Sequence, residues 1–193
     1  MKAYIKEKLL DELTHSQALT QQYKNRDTNF IKNTLIWIEG IENEFSKLRL
    51  AFVGVISAEK AKLLSVIKGE NLTHTTRKIK EKNIAAVNTI DFINNKLYEE
   101  INAIDKNFEV WKDKIAQLSA ISSKNNPIAI PIDGELSQDF LKTTWKNFGQ
   151  ASEGFHMHQY LSSILQQADL FYLLNIVINN LINNSQKIGS VHQ

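Results

Sequence analysis

Residues 87–118 read VNTIDFINNKLYEEINAIDKNFEVWKDKIAQL, and steps of three and four from Val87 select Ile90, Asn94, Leu97, Ile101, Ile104, Phe108, Trp111, Ile115 and Leu118. In heptads, the first core position reads Val87, Asn94, Ile101, Phe108, Ile115 and the second Ile90, Leu97, Ile104, Trp111, Leu118. A strand would alternate every second residue. This spacing instead lays one narrow apolar seam along a helix, for a neighbouring helix to cover. Opened at Thr73 or Thr75 and carried to about Ile121, such a helix of roughly 45–50 residues would be about 70 Å long. A compact domain of this chain length is only about 32 Å across. The expectation is an all-α fold: an elongated helical bundle around one long, coiled-coil-like helix.

Outward from that segment the same rhythm recurs. Residues 2–24 predict a helix with Ile5, Leu9, Leu10, Leu13, Leu19 and Tyr23 on its buried side, stopping at Asn25-Arg26. Asp27 or Thr28 can cap a second helix, and 28–68 reads as a helix or a broken helix. Within it Leu50–Ile56 is uncharged and rich in β-branched and aromatic residues, which would also suit a strand. Helix is favoured there because the spacing of Ile38, Ile41, Phe45, Leu48, Phe52 and Val55 runs through it. Lys68-Gly69-Glu70-Asn71 reads as a helix end.

Residues 122–136 are the one clear interruption. Pro127 and Pro131 exclude helix, and Ile128, Ile130 and Ile132 alternate as an extended segment would. Ser137 caps a short helix over 138–148, and a last helix is expected over 155–184. Its spacing, Leu161, Ile164, Ala168, Phe171, Asn175, Ile178, Ile182, again places an Asn among apolar residues. Positions 170–178 are apolar on nearly every side, as in a helix central to a bundle or in an interface. The whole chain reads as a single all-α domain.

Composition removes several function classes. With 193 residues, 42% of them hydrophobic, the chain can bury a real core. A net charge of +2 is too small to imply a polyanionic partner, so nucleic acid is not expected. No cysteine means no disulfide, no thiolate nucleophile and no Cys-ligated zinc. The seven glycines never form a phosphate-binding loop, and no Gly-x-Ser-x-Gly elbow occurs. The N-terminus, MKAYIKEKLLDEL, carries charges where a secretory signal needs an unbroken apolar run. Cytoplasmic residence is the default expectation, with signal-independent release open.

Two Glu-x-x-His pairs, Glu12 with His15 and Glu153 with His156, have the spacing that ferritin-like di-iron bundles use for metal. Glu42 or Glu44 and Glu99 or Glu100 would supply the further carboxylates. Chance alone yields about a third of such a pair in this composition, so two are only mildly surprising, and Glu153 sits beside Gly154. His156 and His158 are about 200° apart around a helix and could not share a metal there. The basic cluster Arg77, Lys78, Lys80, Lys82 has no interleaved aromatics, so a solvated helix face fits it better than a stacking surface for bases. An Asn in an apolar seam costs stability unless its amide is partnered, and the best-attested use is to fix register or oligomeric state.

The reading that follows is a non-enzymatic helical interaction or scaffold protein, pairing with itself or a partner protein through its helix seams and requiring no cofactor. The alternatives are a membrane-active helical protein working through Leu50–Ile56 or Phe171–Ile182, and a di-iron protein. Neither apolar stretch reaches the roughly 20 residues a spanning helix needs.

Overall fold

The computed structural model describes residues 1–69, 76–125, 127–131 and 136–189, with the side chains of 76, 77, 125 and 184–189 excepted. The expected caps at Thr73 and Thr75, the helix end at Glu70-Asn71 and the isoleucine at 132 lie outside that range. The described residues form seven α-helices and no strand: α1 (Lys2–Lys24), α2 (Phe30–Lys47), α3 (Val53–Lys68), α4 (Thr76–Asn125), α5 (Gln138–Phe148), α6 (Phe155–Ile164) and α7 (Gln167–Gly189). The protein is an all-α bundle with one helix of 50 residues. No helix among the described residues is long and apolar enough to cross a membrane. The chain divides into two compact units, Lys6–Asn102 and Met1–Ile5 with Ala103–Gln193, to both of which α1 and α4 contribute.

In the unit Lys6–Asn102, α1 buries Leu9, Leu13, Ser16 and Leu19, spaced by three and four. It stops where the sequence says, with Arg26 in the left-handed region at φ 56°. The second helix starts slightly later than expected. Asp27 accepts a hydrogen bond from the Asn29 amide at 2.8 Å, a turn that delivers Phe30 as the first helical residue. Tyr23 and Phe30 then close the joint, their rings 5.4 Å apart.

Of the two forms expected for 28–68, the segment takes the broken one. After Lys47 the chain turns, with Arg49 at φ 55°, and α3 begins only at Val53. Leu50–Phe52 lies in the turn and Val53–Ile56 in the helix, so neither half is a strand. The break folds Phe52 back on Phe45, rings 5.4 Å apart, so a hydrophobic pair 7 residues apart closes a corner instead of lengthening a stripe. Across α2 and α3, Glu42 accepts from Ser57 at 2.6 Å and from Lys60 at 2.8 Å. Burial pushes the Glu42 carboxyl up, but these donors and the Lys60 charge carry it below the usual value, and Glu42 in turn raises Lys60.

In the other unit, α4 continues to Asn125, past the expected end near Ile121 and into the segment taken as a linker; 127–131 beyond it carries no regular structure. Ser137 caps α5 as expected, accepting from the Phe140 amide at 3.2 Å. The expected 155–184 helix is two helices. Leu165 adopts an extended conformation between α6 and α7 and is buried there. No proline or glycine marks this break; burying Leu161, Leu165 and Leu170 from both sides of it outweighs the backbone bonds a continuous helix would make. Gly154, in the 3-10 turn before α6, packs so closely on α4 that a Cβ would sit 2.5 Å from Leu118.

The α1 N-terminus is held by a residue remote in sequence. Asp169, in the first turn of α7 and almost wholly buried, accepts from the Met1 ammonium at 2.7 Å and from the Lys2 and Ala3 amides at 2.9 Å. Burial pushes this carboxyl up, but the ammonium and both amides stabilise its charge and leave it below its ordinary value.

Candidate functional site

The sequence places an interaction seam along α4, and the structure shows most of it already used. Ile90, Leu97, Ile101, Ile104, Phe108, Ile115 and Leu118 are buried within the chain; Val87, Asn94 and Trp111 are half-buried. Ala86 and Ile93, outside the heptad reading, are completely buried. The core line in the first half of α4 is therefore Ala86, Ile90, Ile93, Leu97, Ile101. An α-helix turns in about 3.6 residues, so a strict 3.5 repeat drifts by about 20° per heptad. Two steps of four, from Ile93 to Leu97 to Ile101, absorb the drift and set Val87 and Asn94 to one side.

Asn94 keeps a buried carbonyl oxygen with no hydrogen-bond partner. Asn175 on α7 is half-buried and accepts from Asn179 at 3.0 Å. Asn94→Leu is expected to raise stability by about 1–2 kcal/mol in urea unfolding, since it removes an unsatisfied polar atom and adds apolar burial. A loss would mean that the amide has a role the fold needs.

The two Glu-x-x-His pairs lie in different units of the chain, Glu12 and His15 in one and Glu153 and His156 in the other. Glu12 and His15 on α1 approach to 3.3 Å, with His15 mostly exposed. Glu153 lies in the 3-10 turn and His156 at the start of α6, both exposed. Of the expected extra carboxylates, Glu42 pairs with Lys60 and Ser57, Glu44 with Lys8 and Glu99 with Lys96, while Glu100 is half-buried. No group of three or more possible metal ligands occurs among the described residues. Of the basic cluster, Lys80 is exposed and Lys78 and Lys82 are half-buried on the first turns of α4.

Aromatic, basic and hydrogen-bonding groups meet in a cleft of about 460 Å3 between α5, α6 and α7. Its walls are Trp145, Leu165, Leu170 and Phe171; Ser162 and Gln167 add polar groups, and Lys142 and Lys146 stand at the α5 side. Trp145 fixes the local geometry. Its indole Nε1 donates to Ser162 Oγ at 3.1 Å, and its ring stacks on His158 at 4.5 Å. The same imidazole packs against Gly149, where a Cβ would sit 2.8 Å from the ring. Only glycine there admits the stack. Burial lowers the His158 pKa, opposed by a hydrogen bond at the Trp145 backbone. Its Nε2 is buried and makes no hydrogen bond within the protein.

A second recess of about 480 Å3 lies along the same α5 and α7, lined by Leu136, Gln138, Leu141, Ala168, Tyr172 and Asn175. It shares Gln167 and Phe171 with the first, and no charged group is among the described residues that line it. Sequence reasoning set His156 and His158 apart around a helix and gave Trp145, Lys142 and Lys146 no role. The signal that was available is two lysines four apart on the helix that carries Trp145, followed by the histidines of α6. Compared with known proteins, the chain matches no family model, no curated protein and no solved structure.

Proposed function

We propose that this protein is a non-enzymatic helical interaction protein that self-associates by helix packing, working in the cytoplasm. The observation that carries the reading is α3. Of its seven large apolar side chains (Val53, Val55, Ile56, Leu63, Leu64, Val66 and Ile67), only Ile56 and Leu63 are buried by the chain itself. Val55 and Val66, both 43% exposed, are 11 residues apart and so lie on one side of the helix, about a quarter turn from the core line. Between them Glu59 and Lys62 form an ion pair at 2.8 Å. Two valines flanking a self-neutralised charge pair make a surface that loses little when water leaves it. The α4 seam is spent inside the chain, so α3 takes its place as the packing surface.

Light scattering tests this directly. The average mass should rise above the 22.1 kDa of one chain as concentration goes from about 1 to 100 µM, the range of modest helix-packing affinities. The double variant Val55→Glu, Val66→Glu should remain at the single-chain mass with an unchanged helical circular dichroism spectrum. A wild-type mass that stays at one chain throughout removes the proposal.

A further inference from the structure

The cleft beside Trp145 belongs to the other unit and has chemistry that helix pairing does not use. We propose that it binds a small organic anion bearing a flat apolar ring. Three observations converge on that class. The volume, about 460 Å3, is that of a small-ligand site and too small for a packed helix. The walls are aromatic and aliphatic, and rings prefer to lie against rings. Among the described residues that line it, the charged ones are Lys142 and Lys146. They are one turn apart on α5 and both line the cleft, and no carboxylate is among the described residues that line it.

A cation pair at the edge of an apolar recess selects against a cation and against a wholly polar anion, which would lose hydration without gaining apolar contact. A ring with one acidic group satisfies both parts: the ring enters beside Trp145 and Phe171, and the acid stays at the lysines, half in water. His158 and Ser162 complete the arrangement. The imidazole, pinned between Trp145 and Gly149, has an unpartnered Nε2, and the Ser162 hydroxyl is held by the indole. The recess is thus preset rather than assembled on binding, because the stack, the glycine contact and the indole hydrogen bond already fix Trp145.

The test uses 2-naphthoate as probe and the indole N–H resonances of the three tryptophans in the 15N-labelled full chain. Saturable, selective movement of the Trp145 resonance is expected, with those of Trp37 and Trp111 unmoved. The neutral isostere 2-naphthalenemethanol should bind about tenfold more weakly, and Lys142→Glu with Lys146→Glu should lower naphthoate affinity by at least about that factor, as expected for losing two partly exposed ion pairs. Lys142→Arg with Lys146→Arg should retain it, which separates charge from any disturbance of α5. The inference is overturned if the Trp145 resonance does not respond, if acid and alcohol bind equally, or if the glutamate variant binds as well as the natural chain.

Discussion

Phe45→Ala is expected to destabilise the unit Lys6–Asn102 by about 3–5 kcal/mol, the range for deleting a buried aromatic ring. Phe45 is wholly buried near the end of α2, and Phe52 packs on it across the turn into α3. Its carbonyl also accepts from the Leu50 amide at 3.2 Å, so the residue belongs to the corner as well as the core. Alanine leaves a cavity that α2 and α3 cannot close, because the Glu42–Lys60 contact and the left-handed Arg49 fix their approach. The lost ring–ring contact is included in that range, at about 0.5–1.5 kcal/mol. Urea unfolding followed by circular dichroism should show the midpoint fall, with little change for Ile36→Ala on the exposed side of the same helix. A loss below about 1 kcal/mol would mean that the corner is not packed as described.

Asp169→Ala is the second large effect, about 2–3 kcal/mol from the unit that holds α5 to α7. The carboxylate serves as the N-cap of α1, although it lies on α7. A lost cap costs about 0.5–2 kcal/mol, and hydrogen bonds to a charged group contribute about 1.5–3 kcal/mol. The Met1 ammonium is half-exposed, so its pairing with Asp169 adds less than a fully buried pair would. Asp169→Asn should lose less, since one acceptor oxygen remains. The acid side distinguishes a cap from simple packing. The Asp169 pKa is lowered in the folded chain, so the folded state binds this proton less readily than the unfolded state. Its contribution is complete above the ordinary value of 3.8 and disappears as pH falls through the lowered folded value. Natural and Asp169→Ala chains should therefore differ at neutral pH and approach each other in strong acid. A difference that persists undiminished there would assign the loss to packing.

Asp169 also shows why some of this protein was not legible in its residues. Nothing local distinguishes it from any acidic residue opening a helix, a placement that favours α7 by itself. Its partners are 166 to 168 positions away. The cleft is similar: Trp145, His158 and Ser162 come from two helices, and the stack depends on Gly149, whose role appears only when the imidazole lies against it. The paired Glu-x-x-His motifs show the converse. The spacing is real, but a ligand set needs further carboxylates from other elements, and Glu42, Glu44 and Glu99 each pair with a lysine.

The sequence by itself determined that the chain is helical, where α1 and α5 begin and end, and that one helix of about fifty residues dominates it, because helix period, caps and the scarcity of proline and glycine act within a few residues. The tertiary structure alone decided that 28–68 bends at Arg49, that the last segment splits at Leu165, and that Ala86 and Ile93 replace Val87 and Asn94 on the core line. Those choices depend on which faces find a partner, and apolar area buried between helices outweighs the few backbone hydrogen bonds given up at a break.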